Sequence, residues 1–211
     1  MKINKKFPLL LIVSFLCILI INCSKTDSEL EPQNQAYLST YKPDTSETIL
    51  IRNARVLTGS GDELDNASIL MENNKITAIG EIPLDTDAKV IDVKGKWITP
   101  GIIDIHSHMG VYPSPGLRSN SDGNEATSPV TPHVWAEHSV WTQDPQFTLA
   151  LKGGVTTFHV LPGSANLFGG RGVALKNTRS VTVQGMKFPN APYTLKMACG
   201  ENPKRVYGYR D

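Results

Sequence analysis

Between Trp97 and Met109 the chain reads W-I-T-P-G-I-I-D-I-H-S-H-M, and no other stretch limits its fold as tightly. Pro100-Gly101 interrupts the chain, and the run of Ile102, Ile103 and Ile105 behind it predicts a short buried strand. Side chains alternate along a strand, so His106 and His108 share one face, with Asp104 one step deeper on it. Two imidazoles ending one strand can share a divalent ion, and Zn²⁺ accepts nitrogen at about 2.0–2.1 Å. Asp104 could orient one of the rings from behind. Taken bare, a His-x-His pair is more often accidental than ligating. The Pro-Gly entry, the apolar strand and the β-rich segment before it favour metal here.

The 211 residues carry a formal net charge of +1 and are 40% hydrophobic. This balance excludes a nucleic-acid binder, since no basic patch is interleaved with aromatics. The length suits an ordinary domain or a little more, and falls short of the roughly 250 residues of a complete TIM barrel.

The N-terminus reads as a targeting segment. Lys2, Lys5 and Lys6 precede the apolar run Leu9–Ile21, which is short for a bilayer span, and Cys23 opens a polar stretch. The pattern resembles a bacterial lipoprotein signal: residues 1–22 would be removed and Cys23 acylated, with an uncleaved anchor or simple secretion as alternatives. That implies membrane attachment through the lipid at the bacterial cell envelope, on the periplasmic or outer-membrane face. Residues 23–47 are polar and aperiodic and read as a flexible tether. With Cys17 lost and Cys23 lipidated, Cys199 has no partner and reads as a small buried hydrophobe.

Residues 48–97 alternate short apolar runs with Gly/Asn/Asp turns, including a hairpin at Asn73-Asn74-Lys75, and predict a small β-sandwich subdomain. Residues 110–143 form an irregular loop, in which His133 and His138 read as ordinary loop residues or substrate contacts. Asp144 as N-cap, Pro145 in the first turn and Gly153 as stop predict a helix. With Val155–Leu161 as the next strand, the order is βαβ and the two strands should be parallel. His159, alone on that strand, reads as a satisfied core histidine or a site residue. Pro162–Gly172 reads as a loop at the barrel mouth, and its Arg171 could pair with a substrate carboxylate or simply be solvated. Val173–Leu175 and Ser180–Val183 could form an inserted hairpin, and Tyr193–Glu201 a third strand with Glu201 at its C-terminal end.

Pro100, Gly101, Asp104, His106 and His108 match, position by position, the P-G-x-x-D-x-H-x-H run that begins the barrel of the amidohydrolase superfamily. The words I-R-N-A-R-V-L, I-L-M-E-N-N-K-I-T-A-I-G and G-G-V-T-T are similar to the same family. L-K-M-A-C-G-E-N-P-K-R and the Pro162–Gly170 loop resemble its secreted imidazolonepropionase-like members.

The resemblance implies an α/β fold: an incomplete TIM (β/α)8 barrel, its first three or so strands in residues 98–211, preceded by the β-sandwich subdomain of residues 48–97. It implies one or two divalent metal ions, Zn²⁺ in type, held by His106 and His108. Glu201 is the candidate further ligand, because some members place a glutamate there. Others use a carboxylated lysine on a later strand; Lys196, five residues before Glu201 and nearer the barrel bottom, ranks below it. The implied reaction is hydrolysis of a non-peptide C–N bond in a small-molecule amide by metal-activated water. The family's general-base aspartate would lie beyond residue 211, so the chain reads as a truncated N-terminal portion, inactive alone and not stably folded in its barrel part. The alternative is a non-catalytic lipid-anchored binding protein with a remnant barrel. The oligomeric state stays open.

Overall fold

The computed structural model of the chain describes residues 37–84 and 87–208. The expected signal segment and Cys23 lie outside the described residues.

Residues 49–98 form a single five-stranded sheet around β1 (Ile49–Leu57). Antiparallel to it runs β2 (Glu63–Glu72), followed by β3 (Lys75–Gly80). Asn73 and Asn74, at φ 49° and 62°, turn the hairpin between them as the sequence predicts. The other edge of β1 is shared in succession by β4 (Lys89–Asp92) and β5 (Trp97–Ile98), both parallel to it. Asn53, at φ 56°, makes the bulge between these pairings, and its carbonyl accepts from Gly95 N at 2.6 Å. Ala54, Val56, Ala67 and Ile69 form the small core of this layer.

The second sheet contains β6 (Ile102–Ser107), β7 (Val155–Val160), β8 (Phe168–Lys176) and β9 (Thr194–Met197), in that order. The helix between β6 and β7 is α1 (Pro145–Lys152), and the two strands are parallel, as the βαβ reading requires. Asp144 is the N-cap, accepting from Gln146 N at 3.0 Å, and Gly153 closes the helix. The same buried carboxylate accepts from Gly110 N at 3.1 Å and Ser114 N at 3.2 Å, tying the loop after β6 to the helix start. Phe147 of α1 packs edge-on to Phe158 at 5.5 Å. Around them Val111, Val140, Val160, Val173, Leu175 and Met186 build the main core on one face of the sheet.

Five expectations are corrected. β8 is one strand of nine residues and runs antiparallel between β7 and β9, so Phe168–Gly172 belong to it and not to a mouth loop. Residues 181–183 form bends instead of the return strand of a hairpin, and Leu175 bridges Lys187 instead. The third strand ends at Met197, because Gly200, at φ 123°, breaks the extended backbone and Glu201 opens a helix, α2 (Glu201–Tyr207). β6 also departs from the buried strand foreseen: Ile102, Ile103 and Ile105 are 54%, 62% and 75% exposed, because β7 is its sole partner strand among the described residues. Cys199 is exposed, not buried.

Part of the expected tether is bound to the domain. Thr40 N donates to the Gln184 carbonyl at 2.9 Å, Ser39 Oγ to the Lys187 carbonyl at 2.8 Å, and the Tyr37 ring stacks edge-on against His138.

Candidate metal centre

Alternation sorts the second sheet into two faces. Phe158 and Val160 of β7, with Val173 and Leu175 of β8, point into the core, so His159 and Gly172 point to the opposite face. His106 of β6 and Thr194 and Lys196 of β9 meet on that same face. The sequence pattern brings His106 and His108 together as foreseen, with ring centroids 5.4 Å apart.

His108 Nδ1 lies 2.9 Å from the Leu161 carbonyl at the end of β7. A carbonyl only accepts, so Nδ1 carries the proton and Nε2 keeps its lone pair. His106 Nε2 accepts from Lys196 Nζ at 3.1 Å. Lys196 is 6% exposed, and its burial pulls the ammonium below its usual range. The Lys196 charge is the largest cause that lowers the His106 imidazole, followed by burial, so both groups are held toward their neutral, lone-pair-bearing forms. Asp104 does not orient a ring: its Oδ1 accepts from the backbone amide of His106 at 3.1 Å.

His159 is satisfied at both nitrogens, Nδ1 donating to the Ile105 carbonyl at 3.0 Å and Nε2 accepting from Thr194 Oγ1 at 2.6 Å. It spans from β6 to β9 across β8. Gly172 makes that possible, because a Cβ there would meet Leu161, Thr194 and His159 within 3.0 Å.

The structure does not bring Glu201 or Arg171 to the histidine pair. Glu201 stands exposed at the start of α2, in a shallow depression it shares with Lys204 and Arg205. Arg171 lies on the core side of β8, with its guanidinium stacked on Trp135 at 4.4 Å and Nε donating to the Pro132 carbonyl at 3.4 Å. Lys196, ranked below Glu201 from its depth in the strand, is the side chain that reaches His106. The signal that could have found it is the alternation of Thr194 and Lys196 on one strand. His133 and His138 line a separate cavity of about 340 Å³ together with Asp122, Asn124, Trp135 and Pro162.

The donor types on this face suit a Zn²⁺-type ion: two imidazoles, of which His108 has Nε2 free and His106 has Nε2 on Lys196, and a desolvated amine. Among the described residues no group of three or more His, Cys, Asp or Glu side chains could hold a metal.

No family model matches the chain. The chain is similar over 76% of its length to an amidohydrolase from Thermotoga maritima of known structure, at 45% identity and a TM-score of 0.70, and covers 41% of that chain. The chain belongs to the amidohydrolase superfamily. Amidohydrolase tasK of Hapsidospora irregularis is 36% identical over 190 residues, 76% of this chain and 19% of that protein. A 5-methylthioadenosine/S-adenosylhomocysteine deaminase of Thermococcus onnurineus is 30% identical over 120 residues, 53% of this chain and 27% of that protein. The amidohydrolase chain therefore spans about a fifth to two fifths of the length of these relatives. Its second sheet is an incomplete barrel of the superfamily: three strands in one direction, with the antiparallel β8 set between the second and third.

Proposed function

We propose that this chain supplies the first metal-binding strands of a hydrolase that cleaves a non-peptide C–N bond in a small amide or cyclic amide. One observation carries the reading: His108 is held by the Leu161 carbonyl with Nε2 free, beside a His106 whose Nε2 lies 3.1 Å from the buried Lys196 Nζ. The amidohydrolase and deaminase names of the relatives support the bond type.

In this reading His106 and His108 hold a divalent ion, Zn²⁺ in type, and Lys196 takes the third place that Glu201 does not reach. A neutral lysine can add CO₂ to give a carbamate, releasing one proton and placing a carboxylate beside His106. When bound, the metal supplies Lewis acidity and a water of lowered pKa. The chain's own residues orient the donors: Leu161 sets the tautomer of His108, and burial pulls the Lys196 ammonium below its usual range. Attachment to the cell envelope through a lipid on Cys23 belongs to the same proposal, supported by the apolar run Leu9–Ile21 before Cys23 and the polar segment after it.

The test is made on the protein from its own membrane fraction. It should carry one or two Zn²⁺-type ions per chain, release amine or ammonia from amide substrates, and lose that activity with a chelator. Growth in ¹³C-bicarbonate should label one lysine carbamate, absent from Lys196→Met. No metal and no chelator effect would sink the hydrolase reading and leave the lipid-anchored binding protein.

A further inference from the structure

We infer that Tyr112 is a positioning residue that locks the imidazole of His108. The inference rests on the metal-binding role proposed above for His108. Four observations converge on Tyr112. The turn after β6 returns it to the histidine: Val111 N and Tyr112 N both donate to the His108 carbonyl at 3.1 Å. The Tyr112 ring then meets His108 edge-on, centroids 5.5 Å apart and planes at 82°. On its far side the ring tip sits in a slot between Gly123 and Gly163, joined to each other by a 2.6 Å bond from Gly163 N to the Gly123 carbonyl. A Cβ on either glycine would run into the tyrosine, so the slot is cut to this side chain. Finally, Asn124 Nδ2 donates to the Tyr112 hydroxyl, and Gln146 Nε2 donates to its carbonyl at 3.1 Å.

A ring clamped at its tip and backbone is a fixed wall. Against it, His108 cannot swing off the Leu161 carbonyl without losing the edge contact, so its Nδ1–H tautomer and the direction of Nε2 are both set. Partners that orient a metal-binding histidine from behind typically change affinity by about 10–100-fold when removed.

The test uses the full chain. Long-range ¹H–¹⁵N imidazole spectra report the tautomer of each histidine without metal, and a Zn²⁺ titration by calorimetry reports affinity. His159, held independently by Ile105 and Thr194, is the internal control for a folded sheet. In Tyr112→Ala, His108 should become a mixture of tautomers while His159 stays unchanged, and Zn²⁺ should bind at least about tenfold more weakly. Tyr112→Phe keeps the ring wall and should restore both. Tyr112→Leu fills the slot without a ring, and is the variant to read if alanine disturbs His159. The inference is overturned if His108 keeps a single Nδ1–H tautomer and unchanged Zn²⁺ affinity in the variants that keep His159 intact. It is also overturned if His108 and His159 lose order together in both, since Tyr112 then only holds the fold. No Zn²⁺ binding by the wild type, together with the His108 tautomer change in Tyr112→Ala, would refute the metal reading and leave the positioning role standing.

Discussion

Tyr193 stands in a buried polar knot away from the histidine pair. Its hydroxyl bonds both Glu137 carboxylate oxygens at 3.0 Å, and Lys187 Nζ pairs with the same carboxylate at 2.8 Å and also meets Tyr193 and the Tyr37 carbonyl. Glu137 and Lys187 are both nearly inaccessible to solvent. Burial first, then the bond to Glu137 and its charge, push the Tyr193 phenol far above its ordinary value. A raised pKa means the folded state keeps a proton that the unfolded chain releases above about pH 10. This contribution to stability is therefore whole below about pH 10 and is lost as pH climbs further. Tyr193→Phe should cost about 1–3 kcal/mol near neutrality, because Glu137 loses a buried donor. The gap between wild type and variant should then narrow from about pH 7 to about pH 10.5, read as urea midpoints at both values. A constant gap would place the titration elsewhere. At the same scale, Asp144→Ala removes the cap of α1 and strands the amides of Gly110 and Ser114, for a loss of about 2–4 kcal/mol in a urea melt.

At the scale of the element, local chemistry explains what was legible. Asn73-Asn74, Asp144-Pro145 and His106-x-His108 each declare themselves within a few residues, and each occurs as read. What escaped is set by distant register. Whether Lys196 or Glu201 approaches His106 depends on β9 pairing Lys196 with Gly170, some ninety positions from the histidine, and on Gly200 ending the strand early. Likewise β8 looked like loop and hairpin because its glycines are poor strand formers. The structure uses them as clearance, since side chains of β7 and β9 meet across Gly172. Gly172→Val should force Leu161, His159 and Thr194 apart, cost about 1–3 kcal/mol, and abolish the His159–Thr194 hydrogen bond in the imidazole spectrum. A variant as stable as wild type with that bond intact would show that the strands do not close over the glycine.

At the scale of the whole molecule, the strand that leads into the histidine pair also carries exposed apolar side chains. Alternation turns Ile103 and Ile105 away from His106, and they stand 62% and 75% exposed. Their strand pairs on one side with β7 and on the other with no described strand. Free backbone groups flanked by β-branched side chains form a template for another strand. This polypeptide by itself, which covers 41% of the Thermotoga maritima amidohydrolase chain, should therefore self-associate through β6. Sedimentation velocity should show oligomers that grow with concentration. Ile105→Lys puts a charge on the edge without touching the inner face, and should shift the population to monomer while the His108 and His159 tautomers stay as they are. Equal sedimentation of the two proteins would mean that β6 is not the seam. The proposed metal binding and the association are then separable, because the residues for each alternate along one strand: His106 lies on one face of the sheet and the exposed Ile103 and Ile105 on the other.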